Sequence, residues 1–193
     1  MKNKFFIFFV NILLLFVILN NNNAFANSSD PKVFIQEVVV EAKKILVATN
    51  SIEYKAEKLT EIAKAKVDIT GIGLYTLGSY RKKLNDEQKE KYSILFEQYF
   101  LKSFVSRLTD YSDPKIDVIS AEKKNEKYTI VTSILLATDK KPEVKIDWRV
   151  YTKNPDKPLI RDLIIEGLSL ARTQKEEFSS VIETNNGDIT KLF

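Results

Sequence analysis

The sequence predicts an α+β domain of consecutive helices, then four strands, then a closing helix. Three observations carry that prediction. From Asp30 to Thr109 apolar residues recur at helical spacing. At Pro114 the period changes to alternation, which continues to about Glu166. Helical spacing then returns from Ser169 to Ile182. No repeat and no linker interrupts this order. A chain of 193 residues with 44% hydrophobic and 29% charged content suits one domain with a sizeable core.

Residues 1–26 stand apart from that domain. Met1-Lys2-Asn3-Lys4 is a short basic region, Phe5 to Leu19 is an apolar run broken by Asn11, and Ala24-Phe25-Ala26 is a small-x-small cleavage pattern. This is the layout of a secretory signal peptide. The apolar run, about 14 residues, is short of the roughly 20 that span a bilayer. No Cys follows the cleavage pattern, so a lipidated cysteine is not expected. The mature domain is expected to run from Asn27 to Phe193, and losing Lys2 and Lys4 takes the net charge from +4 to +2. No later segment is apolar enough to be transmembrane, so an exported, soluble chain is expected. The Lys/Asn/Ile-rich composition suits a bacterial periplasm.

Each element has a local cause. Asp30 and Pro31 serve as cap and first turn of a helix through about Ala48, with Val33, Phe34, Val38, Ile45 and Leu46 at helical spacing. A second amphipathic helix, Ile52 to Lys66, places Leu59, Ile62 and Ala63 on one side. The segment from Ile69 to Leu84 holds Gly71, Gly73 and Gly78. Glycine in a helix costs about 1 kcal/mol relative to Ala, so these positions imply close packing. Asn85 caps a long helix to about Thr109, with Asp86 and Glu87 well placed in its first turn. Its apolar positions, among them Tyr92, Phe96, Phe100 and Phe104, span a face wider than one packed neighbour needs.

After Pro114, Ile116 to Ala121 and Tyr128 to Ala137 read as strands joined by the turn Lys123-Lys124-Asn125-Glu126. Val144 to Thr152 alternates, with Ile146, Trp148 and Val150 on one face and Lys145, Asp147 and Arg149 on the other. Asn154-Pro155-Asp156 is a turn, and Leu159 to Glu166 is the fourth strand. Short links imply an antiparallel meander covered on one face by the preceding helices. Ser169 to Ile182 is a helix, followed by a turn at Asn185-Asn186-Gly187 and a short last helix.

The composition excludes much chemistry. With no His and no Cys there is no thiolate, no Ser-His-Asp arrangement, no Cys/His zinc cluster and no disulfide. Five glycines leave little room for a phosphate-cradling loop. Asp162 and Glu166 share a strand face but lie about 13 Å apart by strand rise, too far for a glycosidase pair. Arg149 or Asp147 facing Asp162 reads as a cross-strand ion pair. No acidic loop suits a metal, and scattered lysines on a chain of net +2 lack the stripe that nucleic acid requires. Binding rather than catalysis is expected, with no catalytic residue, cofactor or metal. The aromatic and aliphatic excess on the long helix and the Trp148 strand suits either a filled core or a cavity for an apolar ligand.

Two stretches carry a resemblance. The first is Leu77-Gly78-Ser79-Tyr80-Arg81, running into Asn85-Asp86-Glu87-Gln88 and on through Tyr92, Phe96, Tyr99 and Tyr111. The second is Val144 to Val150, then Asp162-Leu163-Ile164-Ile165-Glu166-Gly167-Leu168-Ser169-Leu170, with Thr173, Phe178 and Ser179 beyond. Together they resemble the periplasmic phospholipid-binding family MlaC, also called the toluene-tolerance auxiliary family. Arg81 stands where that family usually has an aromatic residue, and Asp86 where Pro is usual.

The resemblance implies helices on a curved four-stranded antiparallel sheet enclosing an elongated hydrophobic pocket. It implies a monomeric carrier, not an enzyme, that moves phospholipid through the periplasm. The implied partners are an outer-membrane lipoprotein complex and an inner-membrane ABC-transporter complex that maintain outer-membrane lipid asymmetry, with no nucleic acid. Periodicity and resemblance together nominate Leu74, Leu77, Phe96, Phe100, Phe104, Ile146, Trp148, Val150 and Leu163 as pocket lining. Asp162, Glu166, Gly167 and Ser169 are expected to fix the strand-to-helix turn. A protein-interaction domain with a filled core, or an enzyme on a similar scaffold, is the alternative.

Overall fold

A computed structural model describes residues 30–109, 112–139 and 141–192. The expected signal peptide lies outside the described residues. The helices begin where their caps predict. Helix α1 (Pro31–Val47) starts with the Lys32 amide donating to Asp30 Oδ1 at 2.8 Å, and α2 (Ile52–Lys66) with the Tyr54 amide donating to Ser51 Oγ at 3.2 Å. The segment from Ile69 to Leu84 forms two short elements, α3 (Ile69–Thr76) and a 3-10 turn (Gly78–Lys82). Gly78, at φ +54, breaks the run, since that backbone conformation strains any residue with a Cβ. Helix α4 (Asp86–Thr109) opens on a reciprocal box in which the Gln88 amide donates to Asn85 Oδ1 and the Asn85 amide to Gln88 Oε1.

The sheet has five strands in sequential antiparallel order, not four: β1 (Ile116–Asn125), β2 (Tyr128–Leu135), β3 (Val144–Tyr151), β4 (Leu159–Ile165) and β5 (Leu168–Ser169). The extra strand exists because Glu166 and Gly167, at φ 49 and 84, make a tight two-residue turn that folds Leu168 back against Ile165. The turn between β1 and β2 is likewise shorter than the polar run suggests, because β1 pairs as far as Asn125. Helix α5 (Leu170–Thr184) follows β5 directly, and a 3-10 turn (Ile189–Leu192) closes the described chain.

Alternation divides the sheet into two unlike faces. Val131, Trp148, Val150, Ile160 and Leu163 turn toward α1 and α2, where they meet Phe34, Ile35, Val38 and Ile62. The opposite face carries Tyr128, Ile130, Thr132, Lys145, Asp147 and Arg149, with α3 and α5 against β4 beside it. A bulge opposite Arg149 and Val150 leaves Arg161 without a paired residue on β3 and turns it onto this second face. Helix α4 does not lie chiefly on the Val144–Val150 strand; it packs mainly on α2 and α3.

Candidate functional site

Among the described residues the apolar interior consists of three buried clusters. One gathers Ile72, Leu77, Tyr92, Phe96, Ala171 and Ile182 from α3, α4 and α5; the second lies between α1, α2 and the sheet; the third holds Leu46, Leu59 and Val105. Half-buried side chains join them. Phe100 packs against the first cluster and stacks on Phe104, which packs against the third, with ring centroids 5.7 Å apart and planes 11° from parallel. Ala42 and Ile45 touch both the third and the second, and Trp148 and Leu163 pack against the second from the sheet side. These joining residues are half-buried and form a seam of partly exposed carbon between the clusters.

The sequence explains this seam. Tyr92, Phe96, Phe100 and Phe104 recur every four residues and so form one ladder along α4, with centroid spacings of 5.8, 6.2 and 5.7 Å. Phe178 of α5 meets Phe96 edge-on at 6.3 Å. It belongs with the ladder, and only the register of α5 could have revealed it. On the sheet, Ile146, Trp148 and Val150 share the face that alternation assigned them. The Trp148 indole donates to Ser133 Oγ at 2.8 Å, which fixes the ring and satisfies a polar group beneath an apolar surface.

Of the nine nominated residues, Phe100, Phe104, Ile146, Trp148 and Leu163 are half-buried, and all of these but Ile146 pack against one of the clusters. Phe96, Val150 and Leu77 are buried within the clusters, Leu77 completely. Leu74 points elsewhere. It lines a cleft of about 830 Å³ on the opposite sheet face, together with Ile72, Ile130, Arg149 and Ile164.

The turn between β4 and α5 is built around one buried carboxylate. Asp162 accepts from Ser169 Oγ at 2.6 Å and from the Ala171 amide at 3.0 Å, and Arg149 lies across the strands from it at 3.5 Å. Ser169 in turn accepts from the Arg172 amide, capping α5. The Glu166 carboxylate accepts from the Lys145 amide and so ties the turn to β3. A second clamp sets α3. Arg161 donates through Nε to Asp68 at 2.6 Å, donates to the Tyr128 hydroxyl at 2.9 Å and lies 3.7 Å from the Tyr151 ring centre. Asp68 meanwhile caps α3 through the Gly71 amide.

Among the described residues there is no group of three or more acidic side chains placed to hold a metal ion. No described helix is long and apolar enough to cross a membrane. The buried Tyr92 hydroxyl, 2.9 Å from Thr76 Oγ1, is pushed up to about 12 by burial, so it stays neutral and serves packing.

No curated protein matches the sequence. In three dimensions the chain is similar to a phospholipid-binding protein from Ralstonia solanacearum solved in complex with a phospholipid, with a TM-score of 0.71 at 17% identity over 84% of this chain and 92% of that one. The model of the MlaC protein family matches residues 36–193, which is nearly the whole of the domain. The chain belongs to the MlaC family.

Proposed function

We propose that the protein is a periplasmic phospholipid carrier that takes lipid through the aqueous space between outer- and inner-membrane complexes. The observation that carries this reading is the match of the MlaC family model to residues 36–193, and half-buried apolar side chains on α4, β3 and β4 give it surface to work with. Family membership, and the phospholipid bound by the similar Ralstonia protein, support it. About 30 acyl methylenes exposed to water would cost roughly 24 kcal/mol at about 0.8 kcal/mol each, so free diffusion of a phospholipid is negligible. A carrier must shelter most of both chains. Phe100, Phe104, Ile146, Trp148 and Leu163 are the side chains that would line the shelter, with Phe178 beside them. No bond changes in this process, so the lack of His and Cys is no handicap.

Native mass spectrometry of the protein expressed into the periplasm tests the reading. A mass excess equal to one or two phospholipids is expected. Ile146→Glu, which places a charge on the sheet side of the seam, should lower the lipid-loaded fraction about tenfold or more through the cost of desolvating the carboxylate. Lipid-free protein across repeated preparations would sink the proposal.

A further inference from the structure

The sequence contains one Asn-Gly pair, Asn186-Gly187, and the fold uses it to end α5. Asn186 stands in the left-handed region at φ 56, and Gly187 follows at φ 80. The Gly187 amide donates to the Ile182 carbonyl at 2.8 Å and the Asn186 amide to the Glu183 carbonyl at 3.2 Å, the two bonds of a Schellman cap. The Asn185 side-chain amide donates to the Val181 carbonyl at 2.8 Å and braces the same turn. Beyond the cap, Ile189 is buried in the cluster that holds Ile182, and Leu192 packs against that cluster. Asn186 itself is exposed to water.

An Asn-Gly pair is reactive because glycine, lacking a Cβ, lets its nitrogen approach the asparagine carboxamide. In the folded protein that nitrogen is engaged, since its proton is held by the Ile182 carbonyl. The bond yields only when the Ile189–Leu192 turn lifts away and the cap opens. We propose that Asn186 is a self-modification site, converted to isoaspartate and aspartate by the Gly187 nitrogen when this turn undocks. Hydroxide removes the Gly187 amide proton, and the nitrogen electron pair bonds to Asn186 Cγ. The Cγ–Nδ2 bond then breaks, and the leaving nitrogen takes a proton from water and departs as ammonia. Water opens the resulting five-membered imide. Attack at the main-chain carbonyl gives isoaspartate, attack at Cγ gives aspartate, and nothing is oxidised or reduced.

Isoaspartate carries the main chain through Cβ and Cγ, one carbon longer, so the Gly187 amide is displaced from Ile182. Either product also sets a carboxylate at the negative end of α5, where it is unfavourable. Conversion is therefore a one-way release of the C-terminal turn. The site uses none of the residues assigned to the lipid shelter and does not depend on the carrier reading.

Peptide mapping of the purified protein, held in mildly alkaline buffer and sampled over time, tests the site. Electron-transfer fragmentation separates isoaspartate from aspartate at residue 186. Conversion should be about tenfold or more slower in the folded protein than in the guanidinium-unfolded chain, the difference being the opening of the cap. Ile189→Ala should speed it about fivefold or more in the folded protein by loosening the turn, and the half-buried Leu192→Ala serves as a second variant. Leu59→Ala lowers stability in a different cluster and should leave the rate unchanged, because the opening is local. In the converted fraction, amide hydrogen exchange should quicken over residues 182–192 and stay as it was in the sheet. Equal rates in folded and unfolded protein, or equal acceleration by Leu59→Ala and Ile189→Ala, would overturn the proposal. So would unaltered exchange after conversion, or no conversion in either turn variant while the unfolded chain converts.

Discussion

Replacing Gly73 by Ala should destabilise the protein, although the substitution normally favours a helix. In an unhindered helix interior it stabilises by about 1 kcal/mol. Here Gly73 is buried, and a Cβ would stand 2.8 Å from Cδ1 and 3.1 Å from Cγ of Phe96. Both lie inside van der Waals contact, and the obstacle is a ring face rather than the end of a flexible chain. That ring is hemmed by Tyr92 at 5.8 Å, Phe100 at 6.2 Å and Phe178 at 6.3 Å, so it has little room to swing. Overpacking of this kind costs about 1–3 kcal/mol, which outweighs the propensity gain. The net expectation is a loss of about 1 kcal/mol, a fall in melting temperature of about 2–4 °C for a domain of this size.

Urea and thermal melts of Gly73→Ala, Phe96→Leu and the double variant would measure it. With the smaller leucine opposite, the alanine has space and recovers its propensity. A coupling of about 1–2 kcal/mol is therefore expected between the two positions. Stabilisation by Gly73→Ala alone, or an unchanged penalty in the Phe96→Leu background, would refute the close-packing account.

Other perturbations have equally definite outcomes. Asp162→Ala removes the acceptor of the Ala171 amide and the Ser169 hydroxyl and strips Arg149 of its partner, so a loss of about 3–5 kcal/mol is expected by denaturant melt. A variant that melts like the parent yet transfers no lipid would show the carboxylate to be functional instead of structural. Leu59→Ala, at a site 1% exposed, should cost about 2–5 kcal/mol with lipid load retained, whereas Phe104→Ala should change lipid load more than stability. Equal effects of both on both readouts would contradict the division between cluster and seam.

The pH dependence follows from Tyr92, whose folded value of about 12 exceeds the ordinary value near 10 because burial disfavours the phenolate. The unfolded chain loses this proton first, so the stabilisation is complete below about pH 10 and is lost as pH rises toward 12. About 1.4 kcal/mol should be gone by pH 11. Tyr92→Phe removes that slope, and a difference between parent and variant equal at pH 8 and pH 11 would count against it.

The local rules were legible in the chain, and the assembly of elements was much less so. Asp30 with Pro31 and Asn85 with Asp86 and Glu87 marked helix starts correctly because capping is settled within four residues of sequence. The alternation of Val144 to Val150 likewise assigned Ile146, Trp148 and Val150 to one face, and the expected Arg149–Asp162 cross-strand pair forms. A helix ladder such as Tyr92 to Phe104 specifies a face but not its neighbour. It therefore could not say that α4 packs mainly on α2 and α3 rather than on β3. Leu74 and Leu77, three residues apart, looked equivalent and ended on different surfaces. The fifth strand was hidden because its turn needs a positive φ at Glu166, a residue that does not advertise one. Lys145, Asp147 and Arg149 read as a solvated strand face. Their cleft exists only because the Asp68–Arg161 clamp, spanning 93 residues, brings α3 beside them.

A carrier faces a conflict that a filled-core domain does not. It must keep apolar surface available for cargo, yet stay folded when the cargo leaves. Three separate buried clusters resolve the conflict, because each closes on its own residues and keeps its burial whether or not the seam between them is occupied. The cost of exposed carbon then falls on the few joining side chains, Phe100, Phe104, Trp148 and Leu163 among them. In the proposed carrier it would be relieved when acyl chains cover them. Under that proposal folding and loading would fall to different residues of the same helices and strands. The sheet extends the separation to its far face: along β3, Ile146 and Trp148 lie on one face while Lys145 and Arg149 line the cleft on the other. A one-residue slip of β3 would exchange the two sets, so the register that sets Trp148 opposite Val131 fixes both surfaces at once.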